Sequence, residues 1–168
     1  MLHPSIYVDD STITPGKGLF TSSSLAKGVV VWKLEGPTYS WREIKQWSRD
    51  VFDDFMEFGF QCGEDRYSYP MDLSRYTNHS CDPNTWWLGD DKLAIRHAIE
   101  AGTELTYDYA SADCDLTLDM NCSCGASNCR GIVTHDDCLN PSFAERYRGH
   151  LPTHVLSKIK RSKRQGSA

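Results

Sequence analysis

The sequence predicts a mostly β protein with short helices and a C-terminal segment held together by a metal. Three observations carry this. Short β-branched runs alternate with turns marked by Gly and Pro. A period of three to four residues takes over along one clear stretch, residues 40–58. Three cysteines, Cys122, Cys124 and Cys129, crowd into a stretch with little apolar periodicity.

Taken in order, Pro15, Gly16 and Gly18 mark a turn, residues 29–34 read as a strand, and Gly36-Pro37 ends it. In "SWREIKQWSRDVFDDFMEF" the residues Trp41, Ile44, Trp47, Val51, Phe55 and Phe58 form one stripe, and Ser40 with Glu43 forms a capping-box pair. One amphipathic helix over about 40–58 follows, its aromatic stripe facing the core. "FGFQ" and "RYSYPMD" flank "CGED" as a hairpin. "KLAIRHAI" and "ELTYDY" read as strands joined by the turn "EAG". Residues 110–140 are rich in Asp, Ser and Cys and need a staple, and "PSFAERYRGH" begins a C-terminal helix.

At 168 residues with 39% hydrophobic and 11% aromatic content, the chain is one domain-sized unit with a real core. The N-terminal "MLHPSIYVDD" has no signal-peptide pattern, and no apolar run is long enough to span a bilayer. The expectation is a soluble intracellular protein with no membrane partner, nuclear in a eukaryote and cytoplasmic in a prokaryote. Lys158, Lys160, Arg161, Lys163 and Arg164 form a basic run, and no acid follows Glu145. The body is therefore more acidic than the net charge of −5 indicates, which suits a cationic, lysine-rich partner. The basic run reads as a solvated end; contact with nucleic acid is the weaker reading.

Seven cysteines without a secretory signal favour a metal site over a disulfide framework. "CSCGASNC" offers three thiols, with the fourth ligand open among Cys81, Cys114, Cys138 and a histidine such as His135. Gly16-x-Gly18 alone serves any tight turn, and no third glycine follows to suggest a dinucleotide fold. In "RYTNHSCDPN", residues 75–84, Asp82-Pro83-Asn84 reads as a turn. His79, Ser80 and Cys81 are too close in sequence to act together as nucleophile and base. "ELTYDY" places Tyr107 and Tyr109 on one strand face, where they either pack together or line a pocket for a cation.

In this order, "GKGLF", "RYTNHSCDPN", "ELTYDYA" and "CSCGASNCRG" resemble the successive motifs of SET-domain protein lysine methyltransferases with a post-SET segment and no pre-SET region. The resemblance runs from about Gly16 to Gly131. It implies a SET fold of small curved sheets in which the "NHSC" strand is threaded in a knot-like arrangement. It also implies boundaries: SET domain 1–117, post-SET zinc segment 118–134, C-terminal helix 135–157 and basic tail 158–168.

The resemblance further implies residue roles. Gly16, Lys17 and Gly18 would hold S-adenosylmethionine through their backbone, together with Asn78 and His79, while Arg75 supports their loop. Tyr109 would be the catalytic tyrosine, also facing the cofactor, and Tyr107 a switch limiting the product to mono- or dimethyllysine. Cys81 would join Cys122, Cys124 and Cys129 around one structural zinc. Phe58, placed on the hairpin, is the candidate for the adenine wall. The implied activity is S-adenosylmethionine-dependent lysine N-methylation of a histone or other small basic protein. Two other readings are a catalytically silent module that binds a lysine peptide or a partner, and a purely structural zinc protein.

Overall fold

The computed structural model describes residues 1–115 and 118–165. The boundary expected at residue 117 and the last three tail residues lie outside them. The chain begins with β1 (Ile6–Asp10), β2 (Lys17–Thr21), β3 (Val30–Lys33) and β4 (Thr38–Tyr39), followed by helices α1 (Trp41–Ile44) and α2 (Arg49–Phe58). A hairpin of β5 (Phe60–Gly63) and β6 (Arg66–Ser68) leads to β7 (Asn78–His79), β8 (Thr85–Leu88), β9 (Lys92–Ile95) and β10 (Glu104–Tyr107). Then come β11 (Asp119–Asn121), β12 (Ile132–Thr134), α3 (Pro141–Arg146) and α4 (Thr153–Gln165).

These strands make four small sheets, ordered β1-β2-β10-β7, β3-β9-β8, β4-β6-β5 and β11-β12. In the first, β10 runs antiparallel to β2 but parallel to β7. The polar "NH" pair is thus a two-residue strand rather than a free loop, with Asn78 opposite Thr106 and His79 opposite Tyr107. Asn84 holds the next turn against β10. Its carboxamide accepts the Thr106 N–H at 3.0 Å and donates to Glu104 O at 2.7 Å, imitating a neighbouring strand.

Several elements differ from the sequence reading. The expected single helix over 40–58 is two. The Ser40–Glu43 capping box does start α1, but the chain leaves it after Ile44, and Ser48 takes an extended backbone to begin α2. The apolar stripe loses its phase across that break, so Val51 is 40% exposed while Phe55 is buried. Phe58 ends α2 instead of sitting on the hairpin. The "ELTYDY" strand stops at Tyr107, and Tyr109 opens a 3-10 turn capped by Asp108. The C-terminal helix is interrupted between α3 and α4, where Gly149 has a positive φ and Pro152 lacks the N–H a helix interior requires.

The basic run is not a loose end through Gln165, because it forms most of α4. Lys158 donates to Cys114 O at 2.7 Å and His135 O at 2.8 Å and pairs with Asp136, and Arg161 pairs with Glu64. Three apolar clusters result. One lies among the sheets around Leu19, Trp32, Trp87 and Leu105. A second joins Cys81 to Val133, Tyr147 and Val155 of the C-terminal segments, and a third sits under α1 and α2. No helix among the described residues is long and apolar enough to cross a membrane.

Candidate active site and metal centre

Three cavities of the molecule meet at Tyr109. One is lined by Ile13, Thr14, Asn78, His79 and the chain from Met120 to Cys124. A second is lined by Trp32, Phe58, Phe60, Arg75, Trp87 and Tyr107. A third lies between α2 and β11, against Met56, Glu57, Tyr67 and Asp119. Tyr109 borders all three. Its N–H donates to His79 Nδ1 and its hydroxyl to Thr77 O, both at 3.1 Å, which fixes the ring and leaves the phenol oxygen free to accept. Burial, reinforced by Asp113, pushes the phenol well above its ordinary pKa, so Tyr109 stays neutral.

Tyr107 lies beside it, the ring centroids 4.8 Å apart. It is 9% exposed, and its hydroxyl has no protein partner among the described residues. Burial raises this phenol as well.

Asn78 donates to Lys17 O at 2.9 Å and to Glu104 Oε1 at 2.8 Å. Glu104 is buried at the start of β10 and also accepts from Ser11 and from the N–H and hydroxyl of Thr12. Burial opposes its ionisation, yet the donors Asn78, Thr12 and Ser11 prevail and hold the carboxyl below the usual range. Gly18 is required here, because a Cβ on it would lie 2.4 Å from Glu104 Oε1. Glu104 thereby fixes the loop that brings Ile13 and Thr14 to the first cavity. Gly16, whose carbonyl accepts the Ser11 N–H at 2.9 Å, and Lys17 and Gly18 of β2 buttress that loop and do not line the cavity themselves.

Arg75 borders the second cavity, not the one that Asn78 and His79 line. Its guanidinium donates to both oxygens of Asp54 and lies 3.9 Å over the Phe58 ring, joining the segment before β7 to α2. Sequence reasoning assigned no role to Glu104 or Asp54. An acid opening an otherwise apolar strand was the available signal for Glu104; for Asp54, on a helix rich in acids, there was none.

Four free thiols gather where β7 meets the C-terminal segment. Cys122 Sγ is 3.8 Å from Cys81 Sγ and 3.7 Å from Cys129 Sγ, and the Cys81 N–H donates to Cys124 Sγ at 3.3 Å. A tetrahedral ion with metal–sulfur bonds of about 2.3 Å requires sulfur–sulfur edges of about 3.8 Å, which these spacings match. Ligand atoms of His79, Cys81, Cys122 and Cys124 also lie within 4.8 Å of one another, raising His79 as a rival to Cys129. Its hydrogen bonds argue against that. Nδ1 accepts from Tyr109, so the neutral ring carries its proton on Nε2, which faces Cys81 Sγ at 3.3 Å. Burial holds the ring neutral, with its pKa pushed down to about 4. With its proton there the ring faces Cys81 Sγ as a donor, and Cys129, with Sγ 3.7 Å from Cys122 Sγ, is the remaining thiol of the group. Cys62, Cys114, Cys138 and His135 belong to none of these arrangements.

Asp108 connects the two centres. It is fully buried, accepts two bonds from Arg130 at 2.9 and 2.7 Å and one from the Tyr147 hydroxyl at 3.0 Å, and lies directly before Tyr109. Arg130 directly follows Cys129, and its N–H donates to Cys81 Sγ at 3.4 Å.

The chain is similar to a set of known methyltransferases. A histone-lysine N-methyltransferase Su(var)3-9 of Drosophila pseudoobscura pseudoobscura is 28% identical over 161 residues, covering 78% of this chain and 25% of that protein. The histone-lysine N-methyltransferase ASHR3 of Arabidopsis thaliana is 28% identical over 150 residues, covering 79% of this chain and 30% of the relative. Methyltransferase flvH of Aspergillus flavus is 31% identical over 75 residues, 43% of this chain and 42% of its own length. The chain therefore spans less than half of each of these relatives. The family model described as "SET domain" matches residues 16–110, more than half of the chain, from the glycine turn through Tyr109. With that match and the convergence of its motifs on one tyrosine, the chain belongs to the SET-domain family.

Proposed function

We propose that the chain is an S-adenosylmethionine-dependent protein-lysine N-methyltransferase. The observation that carries this is the position of Tyr109, shared between the cavity of Asn78 and His79 and the two cavities beside α2. A cofactor and an amine entering by separate routes would meet at its hydroxyl. Asn78, His79 and the loop buttressed by residues 16–18 would hold the cofactor, which supplies an electrophilic methyl group. Tyr109, neutral and oriented by Thr77 O, would align the two reacting atoms; such positioning supplies much of the rate in an in-line displacement. Zinc on Cys81, Cys122, Cys124 and Cys129 would hold the wall formed by residues 120–124. The substrate would be a histone or another lysine-rich basic protein, drawn to the acidic body, and a eukaryotic source would place the protein in the nucleus.

Labelled methyl transfer to histones tests this reading. Tyr109→Phe should slow transfer on the order of 100-fold while leaving cofactor binding within a few-fold. Equal rates in the two proteins would remove Tyr109 from the chemistry.

The unpartnered hydroxyl of Tyr107 can hold a water where a second or third methyl group would otherwise fit, which favours mono- or dimethyllysine. Tyr107→Phe should shift the product toward trimethyllysine in a mass spectrum. Efficient trimethylation by the native protein would contradict this limit.

A further inference from the structure

Asp113 plays no part in the chemistry described so far, although it borders both cavities beside α2. Its N–H donates to Tyr109 O at 2.8 Å, so it follows Tyr109 by one helical turn. It is 7% exposed. One carboxylate oxygen accepts the Gln61 N–H at 2.5 Å, and the other has no protein partner among the described residues. The cavity wall opposite is aromatic, with Trp32, Phe60, Trp87 and Tyr107, and the Trp87 indole N–H is buried without a partner. Aromatic faces around one carboxylate make a site for an ammonium group.

The charged and titratable groups around Asp113 are Tyr109 itself, Tyr107 of β10, Cys62 of β5, Tyr67 of β6, Glu57 of α2, Asp119 of β11, neighbouring Cys114 and Asp115, and Arg75. Among the described residues Arg75 is the one cation lining these two cavities, and it is already engaged by Asp54. The two cavities that Asp113 borders therefore offer it no free cation among the described residues. Burial, opposed by the Gln61 N–H and helped by Asp115, pushes its carboxyl up to about 8.

Resting on the methyltransferase reading, we propose that Asp113 receives the ammonium of the target lysine and takes its proton before methyl transfer. One N–H bond of Nζ breaks and one O–H bond forms on Asp113. The lone pair stays on nitrogen, and a pair of opposite charges becomes a neutral pair. A dry cavity favours that exchange, since burial disfavours both ions. After the product leaves, the carboxyl returns its proton to solvent through the cavity beside Glu57 and Asp119. Tyr109 cannot serve instead, because burial keeps its phenol protonated.

The sign of the pH dependence follows. Asp113 must be ionised to accept a proton, so the wild-type kcat/KM should rise through about pH 8 and then level. Without the carboxylate, lysine must arrive neutral, and its ordinary pKa is about 10.4. Asp113→Asn keeps an oxygen for the Gln61 N–H. It should transfer methyl on the order of 100-fold more slowly near pH 8, with the deficit shrinking toward pH 10. Independently of turnover, wild-type protein above pH 8 should bind a lysine peptide about 10-fold more tightly than its norleucine counterpart, and Asp113→Asn should show no such preference. Asp113→Glu restores a carboxylate and should recover the levelling pH profile even if Asp113→Asn melts at lower temperature. A variant matching wild type at every pH with its lysine preference intact overturns the role of Asp113 and leaves the methyltransferase reading standing. Wild-type protein that transfers no methyl group at all overturns both.

Discussion

Stripping the metal from the four-thiol site should disorder the segment from Leu118 to Arg130 and abolish cofactor binding with it. That segment has few apolar side chains of its own, and Cys81 secures it from the other side of the site. The Cys81 carbonyl accepts from Asn128 at 2.8 Å and Arg146 at 2.9 Å, its N–H reaches Cys124, and its sulfur accepts from Arg130. Crowding four thiols without a cation is unfavourable. Burial raises Cys81 and Cys122, whereas Cys124, despite burial, is drawn down to about 7 by the N–H groups of Cys81 and Ala126. Structural zinc sites release about 10–16 kcal/mol on binding, comparable with the whole stability of a domain at about 5–15 kcal/mol. The protein should contain one zinc per chain. Chelation or Cys81→Ser should speed hydrogen exchange in this segment and weaken S-adenosylmethionine binding at least about 10-fold, because residues 120–124 wall the cavity of Asn78 and His79. Metal-free protein that binds cofactor normally would separate the two centres.

Replacing Arg130 with Met should destabilise the fold by about 3–5 kcal/mol, since it leaves the Asp108 carboxylate buried and short of its cation. Asp108 is wholly buried, while the Arg130 side chain is 23% exposed, so the penalty falls on the acid. Burial works against the guanidinium, yet hydrogen bonding and attraction from Asp108 raise its pKa above the ordinary arginine value. For a chain of this size the loss corresponds to a melting temperature lower by roughly 10 °C. The double variant Asp108→Asn/Arg130→Met removes the stranded charge and should recover part of the loss, which thermal melts of the wild type and the two variants check. A single variant melting like wild type would show that the ion pair adds nothing.

What was legible in the sequence followed from local chemistry. Ser40 and Glu43 announced a helix start because a capping box needs only residues three apart. The Cys122, Cys124 and Cys129 spacing announced a cluster able to hold a metal, because thiols so close in sequence are also close in space. The hairpin at Glu64-Asp65 was legible for the same reason. The break after Ile44 was not, because Trp47 kept the stripe apparently in phase while Ser48 took the extended backbone that restarts the helix. The packing of the basic run was hidden too: Lys158 finds its partners at Cys114, His135 and Asp136, which only the folded chain brings near. Asp108 looked like an acid on the opposite face of the "ELTYDY" strand, and Asp113 like an ordinary acid of a polar stretch. Burial beside Arg130 distinguishes the first, and burial with no free cation lining its cavities among the described residues distinguishes the second, and neither condition has a local signature.

Mass spectrometry of a histone mixture incubated with the protein and S-adenosylmethionine tests the central claim most directly. The expected result is a mass increase of one or two methyl groups, mapped by fragmentation to a lysine side chain and lost on the Tyr109→Phe substitution. Cofactor consumed with the methyl group on a small molecule or on another residue type, or histones left unmodified by an enzyme that binds cofactor tightly, would contradict it.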